Sequence, residues 1–227
     1  MTSPRSLPQP AGGATPLWQS LGTDKQDLVF QAAVEEFAEH GYGSASMNTL
    51  VKRAGISKGS LFTYFRSKSG LFDAVVEQAA GRVRADLKAL RERTRQDPFP
   101  RRLEALVRTG FTFLDAHPHL ARIYFRLLQG GDAPLGRSQA QALRKRSQEF
   151  LEELITEGQQ AGELRRDLDA RRMAFLLNLE LEALLAAWQE RAPRGTRGRP
   201  ALREEWIGDF VSLARRGMQA DSGEGRS

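Results

Sequence analysis

SMNTLVKRAGISKGSLFTYFRSKSGLF, residues 46–72, is the stretch on which the reading of this chain turns. It holds Lys52, Arg53, Lys58, Arg66 and Lys68 and no acidic residue, while the segment before it carries Glu35, Glu36 and Glu39. The basic charge is therefore local. Ser46 is placed to cap a helix that buries Leu50 and Ala54, and Gly55 supplies the left-handed residue that ends it. Ile56 turns inward, and Ser57 caps a second short helix, Lys58 to Tyr64, with Leu61 and Phe65 four apart on its core face. Two short helices joined by a tight glycine turn make a helix-turn-helix, whose second helix enters the major groove of DNA. Ser67-Lys68 opens the next helix, whose first amides and lysine can together hold a phosphate.

Outward from this window the period stays helical. Val29, Ala33 and Phe37 form a stripe before it, with Gly41 as a stop signal. Phe72 to Leu90 draws one stripe on a long helix ending before Pro98. Further helices follow over Leu103–Leu114, Leu120–Leu128 and Leu143–Ile155. The segment Arg172 to Gln189 is apolar nearly all round, so it needs cover on several sides, a second subunit among them. A last amphipathic helix carries Leu202, Trp206, Phe210 and Leu213. No stretch alternates like a half-buried strand. The expectation is an all-α chain of about nine helices: a tail over 1–23, a three-helix DNA-binding domain over 24–70, an effector-binding and dimerisation domain over 71–219, and a tail over 220–227.

Composition excludes several classes of chemistry. The 227 residues include no Cys and only 3 His, so disulfides, thiolate metal sites and cysteine nucleophiles are absent. His117 and His119 flank Pro118 and read as turn residues, leaving no metal set and no cofactor site. The first twenty residues lack the apolar core of a signal peptide, and no run approaches the ~18 residues of a membrane span. A soluble, cytoplasmic protein is expected. The net charge of +6 suits a polyanionic partner only where it clusters, as it does here.

Three motifs are decoys. Gly55–Gly59 matches a nucleophile elbow, but a helix precedes it where a strand is required. Gly131–Ser138 approaches a phosphate-binding loop with Arg137 in place of the lysine, and no βαβ pattern surrounds it. Arg197-Gly198-Arg199-Pro200 has the core of a minor-groove hook, yet lies between two helices far along the chain from the reading head. No acid–base or nucleophile constellation is present, so the chain is not read as an enzyme.

Val29, Ala32-Ala33, Phe37, Gly41-Tyr42, Ala54-Gly55-Ile56-Ser57, Gly59, Leu61, Tyr64-Phe65, Lys68 and Leu71 together resemble the DNA-binding domain of the tetracycline-repressor (TetR) family of bacterial regulators. The resemblance spans about the first third of the chain and departs at Ala45, where threonine is common, at Phe62, in place of a phosphate-reaching tyrosine, and at Asn48, where arginine is frequent. It implies a homodimer on a double-stranded, pseudo-palindromic operator, released by a small-molecule effector, with the last two helices forming the dimer bundle. A helical architectural protein without sequence specificity is the alternative.

The DNA-contacting set expected is Ser46, Asn48, Lys58, Gly59, Ser60, Thr63, Tyr64 and Lys68, with Lys58 and Gly59 at base edges and Tyr64 and Lys68 on phosphates. Phe111, Leu114, Tyr124, Leu128, Phe150, Leu154, Phe175, Asn178, Leu179 and Glu180 are the expected effector-pocket lining. Met173, Leu177, Leu181, Leu184, Trp188, Trp206, Phe210 and Leu213 are the expected dimer face. Asn178 and Glu180 interrupt the most apolar helix and face either the pocket or, alternatively, the partner subunit or solvent.

Overall fold

In the computed structural model, residues 14–130, 135–191 and 200–219 are described, without the side chains of 135–140, 143, 191 and 200. Ten helices run in order: α1 Pro16–Gln19, α2 Thr23–Ser44, α3 Met47–Ala54, α4 Lys58–Phe65, α5 Lys68–Thr94, α6 Phe99–Ala116, α7 Pro118–Leu128, α8 Leu135–Gln160, α9 Ala170–Arg191 and α10 Pro200–Met218. No strand occurs among the described residues; a single antiparallel bridge joins Leu164 to Gln219. No described helix is long and apolar enough to cross a membrane.

The all-α expectation holds, with one helix beyond the count. The exception is α1, which falls inside the expected tail. Its Trp18 is only 1% exposed and packs against Phe65, Tyr64 and Phe30 at ring-centroid distances of 4.7, 5.7 and 5.8 Å. A polar, proline-rich stretch reads as unstructured on composition, yet one large aromatic with a prepared socket can hold a single turn. The tail reading is thus corrected for 14–23; residues 1–13 and 220–227 lie outside the described residues. So do Gly131–Pro134 of the decoy loop and Arg197–Arg199 of the hook.

Contacts divide the chain into two compact units, one of Met1–Ala85 and His117–Ala142, the other of Asp86–Ala116 and Leu143–Ser227. The first unit holds α1–α4, the start of α5, and α7. Its core is Val29, Phe30, Ala33 and Phe37 of α2 with Leu50, Leu61, Phe65, Leu71 and Phe72. Helix α7 belongs here: Arg126 Nη1 donates to the Phe37 carbonyl at 3.1 Å. The His117 ring lies 2.9 Å (Nδ1) and 3.3 Å (Nε2) from Arg82 Nη1, at the junction where a turn residue was expected.

The second unit packs α6 against α9 and α10. Phe111 meets Trp188, which meets Trp206, at 5.1 and 5.6 Å. Here the sequence reading assigned α9 the wrong faces. Met173, Leu177, Leu181 and Trp188, expected at the dimer face, are buried within the single chain, and Leu184 is half-buried. Phe175 and Leu179, expected to line a pocket, are 46% and 37% exposed, and Glu180 is exposed as well. A helix that is apolar all round has no polar stripe to fix its rotation, so periodicity cannot say which side is the core. Asn178 needs neither of its expected surroundings: its Nδ2 donates to Glu182 Oε1 at 2.9 Å, and Arg144 grips the same carboxylate from α8 through Nε and Nη2 at 3.1 and 2.7 Å. On α10, Trp206 is half-buried, Phe210 is buried and Leu213 is 73% exposed.

Candidate nucleic-acid interface

Helices α3 and α4 form the helix-turn-helix, and each of its joints has a local cause. Ser46 caps α3, its side chain accepting from the Thr49 amide at 3.3 Å. Gly55 ends α3 at φ 65° and ψ 30°, a left-handed conformation that glycine adopts without a Cβ penalty. Ser57 caps α4 by accepting from the Ser60 amide at 3.0 Å. The core sides of the two helices bury Leu50, Val51, Ala54, Leu61 and Phe65. Two turns of helix are too short to be stable alone, so caps and core together hold α4 in place.

The corner before α3 is clamped from two sides. Gly41 breaks α2 at φ 72°, ψ 171°, and the chain turns toward Ser46. From one side, Glu36, 1% exposed, accepts the Ser46 amide at 2.7 Å through Oε1. From the other, Lys68 Nζ donates to the carbonyls of Gly43 and Ala45 at 3.1 and 2.8 Å and lies 5.1 Å from the Tyr42 ring centroid. An ammonium has three donors, and two are committed here. This revises the expectation for Lys68: the lysine spends its charge on the protein's own backbone. The acidic segment before the head has a similar internal task. Arg53 is drawn to Glu39 at 3.3 Å and Glu35 at 3.7 Å, which ties α3 to α2.

The remaining expected contact residues separate by exposure. Asn48, Lys58, Gly59 and Thr63 are exposed, while Ser46, Ser60 and Tyr64 are half-buried. Thr63 donates its hydroxyl to the Gly59 carbonyl at 2.9 Å, and the Ser60 hydroxyl shares a 2.8 Å hydrogen bond with that of Ser57. A Cβ built on Gly59 would meet only Ser57 Oγ at 3.8 Å, so no contact among the described residues demands a glycine there. An exposed lysine, a bare backbone and short hydroxyl side chains on a rigid two-turn helix are what a groove-reading helix offers.

Two features of the head escaped the sequence reading. One is Thr15, whose amide donates to the Tyr64 carbonyl at 2.8 Å and whose hydroxyl donates to the Thr63 carbonyl at 3.0 Å, so the segment before α1 satisfies the open C-terminal end of α4. The other is Arg66, which follows α4 at a positive φ of 59°. The only sequence signal for the first was a lone Trp18 in an otherwise polar leader.

Comparison with known proteins agrees with this geometry. Residues 29–75 match the family model for bacterial regulatory proteins of the TetR family, and residues 81–191 match a model for the C-terminal region of YsiA-like proteins. The chain is 27% identical to an uncharacterised helix-turn-helix regulator of Bacillus subtilis, YdgC, over 70% of this chain and 78% of that one. It is 24% identical to the fatty acid metabolism regulator protein of the same bacterium, over 70% of this chain and 81% of the other. Among solved structures, a TetR-family regulator from Chloroflexus aurantiacus superposes with a TM-score of 0.72 at 27% identity, covering 92% of this chain and 99% of that one. The Bacillus subtilis regulator FadR, solved in complex with stearoyl-CoA, shares the fold at a TM-score of 0.66 and 22% identity, covering 82% and 97%. The chain belongs to the TetR family of bacterial transcriptional regulators, with α3 and α4 as its DNA-binding helix-turn-helix.

Proposed function

We propose that this regulator is a homodimeric repressor whose two heads occupy the halves of a pseudo-palindromic operator until a small molecule releases them. The observation that carries the two-copy reading is the outer face of α9, where Phe175, Leu176 and Leu179 stand 46%, 59% and 37% exposed on one helix. Monomeric soluble proteins rarely leave so apolar a strip in water. With Leu213 of α10, this face replaces the expected Met173–Trp188 stripe as the dimer surface.

Lys58 and Gly59 read base edges from the start of α4, helped by Asn48 and Thr63, while Ser46, Ser60 and Tyr64 approach phosphates. Heads on a two-fold dimer meet half-sites about 34–36 Å apart, one helical turn, or somewhat more. The work is done on the chromosome, in the cytoplasm, and needs no catalytic chemistry.

For the effector, an acyl-CoA thioester is the first class to test, because a fatty acid metabolism regulator is among the relatives and a structural neighbour was solved with stearoyl-CoA. Phe111, Leu114, Phe150 and Leu154, all of the second unit, stay in the proposal as apolar lining. Phe175, Asn178, Leu179 and Glu180 leave it. An effector acts only through its different affinity for the two states of the dimer.

Footprinting on DNA upstream of the protein's own gene tests the core of this reading. A short protected palindrome that stearoyl-CoA abolishes, and free coenzyme A does not, supports it. Uniform coating of the DNA would instead favour an architectural protein. A palindrome indifferent to acyl-CoA would remove only the effector class.

A further inference from the structure

Arg66 is the sole non-glycine residue with a positive φ among the described residues, at φ 59° and ψ −36°. It stands immediately after α4, between the recognition helix and α5. An L side chain in this region crowds its own backbone, and glycine would relieve it. Such outliers persist where the surroundings over-determine them, and here they do. The Arg66 amide donates to the Phe62 carbonyl at 2.8 Å, and the Ser67 amide to the Phe65 carbonyl at 2.6 Å. Ser67 Oγ accepts the Gly70 amide at 3.0 Å, fixing the start of α5. On the other side, Thr15 ties off the carbonyls of Thr63 and Tyr64, with Trp18 packed beneath.

The turn is thus built to hold an arginine where an arginine is unfavourable. Among the described residues nothing uses that side chain: it is exposed, and no carboxylate among them pairs with it. Its basic neighbours differ. Arg53 is bound to Glu35 and Glu39, and Lys68 to two carbonyls. The phosphate role that Lys68 gives up has an unengaged cation two residues away.

We infer that Arg66 contacts an operator phosphate beside the C-terminal end of α4, and that Thr15 is the positioning residue that holds the turn presenting it. This rests on the DNA-binding reading above. Strain and function are linked: the backbone accepts an unfavourable conformation that sets where the side chain leaves the chain after α4, while the exposed guanidinium itself is ordered only on the phosphate.

The test uses the full-length dimer and a fluorescent operator found by footprinting, with anisotropy titrations across a salt series and thermal melts of the free protein. Arg66→Gly should melt no lower than the parent yet bind operator about tenfold or more weakly. The slope of log affinity against log salt should flatten by roughly two, one phosphate for each head. Non-operator DNA should lose the same slope, because a phosphate contact carries no sequence information. Arg66→Lys should recover the slope. Thr15→Val keeps the charge and loses the hydroxyl bond; it should weaken operator binding a few-fold with the slope unchanged. An Arg66→Gly protein with the parental salt slope overturns the phosphate assignment. Unchanged affinity in Thr15→Val removes the positioning role. If the parent protein protects no defined site while Lys58→Ala binds DNA as the parent does, the DNA-reading assignment itself fails, a result distinct from either of these.

Discussion

Replacing Trp18 by alanine should cost the first unit several kcal/mol, although the residue lies outside the matched family region 29–75. The side chain is 1% exposed and touches three aromatic rings, the nearest at 4.7 Å. A buried aromatic removes about 150–250 Å² from water, which at ~25 cal/mol per Å² corresponds to roughly 4–6 kcal/mol. Two effects reduce the net loss. The indole Nε1 is buried without a hydrogen-bond partner, and such a donor costs about 1–3 kcal/mol. Holding the short α1 in place also carries a conformational entropy cost. The difference leaves about 2–4 kcal/mol, a fall of roughly 4–16 °C in melting temperature for a chain of this size.

Urea unfolding followed by far-ultraviolet circular dichroism measures it. The sequence has three tryptophans, the other two being Trp188 and Trp206 of the second unit. Trp188→Phe with Trp206→Phe therefore leaves Trp18 as a local fluorescent reporter of the head. Trp18→Phe, which keeps a ring in the socket, should retain most of the stability. A loss below about 1 kcal/mol in Trp18→Ala would mean that α1 is not docked in solution and that residues 14–23 behave as a tail.

Other perturbations separate packing from recognition. Gly59→Ala should stabilise α4 by up to about 1 kcal/mol through helix propensity and still weaken operator binding under the proposal that Gly59 lies at the DNA; equal or tighter binding would contradict that reading. Gly158→Ala should destabilise, because its Cβ would come within 2.9 and 3.0 Å of Leu164 Cδ1 and Cγ, with Phe99 Cβ at 3.6 Å; calorimetry showing a gain would mean the Leu164 side chain moves aside freely. Lys68→Met should lower the melting temperature and operator affinity together while leaving the salt slope intact, and a flattened slope would restore it as a phosphate ligand. Hydrogen bonding to Arg108 holds the exposed Glu204 carboxyl below its ordinary pKa of 4.5. A carboxyl depressed by folding adds stability above its unfolded pKa and loses it as pH falls through the folded value. Glu204→Gln should therefore flatten the acid side of the stability profile below about pH 4.5, and superimposable acid melts would show the pair contributes nothing.

The head was legible because its chemistry is local. Ser46, Gly55 and Ser57 act within a few residues of themselves, so their roles as caps and left-handed stop could be read from spacing alone. Lys68 was legible as a cation but not as a ligand of Gly43 and Ala45, since those partners are more than twenty residues away and are backbone atoms with no signature in sequence. Thr15 and Trp18 escaped for the same reason. In α9, the failure was one of rotation: with apolar residues on every side, Met173 and Phe175 are equivalent in sequence and opposite in structure. Glu182, the carboxylate that satisfies Asn178, went unsuspected beside Glu180 for want of knowing that Arg144 faces it.

The placement of α7 bears on how such regulators can be recombined. A head defined by its contiguous sequence match ends at residue 75, but the unit it belongs to also includes His117–Leu128, held through Arg126 and the Phe37 carbonyl. A chimera that grafts only the first 75 residues onto a foreign effector domain would leave α2 facing a seventh helix it did not evolve with, and the Phe37 carbonyl without its Arg126 donor. Exchanging operator specificity between relatives therefore calls for transplanting two separated segments as one cassette, or for confining the exchange to the exposed side chains of α3 and α4.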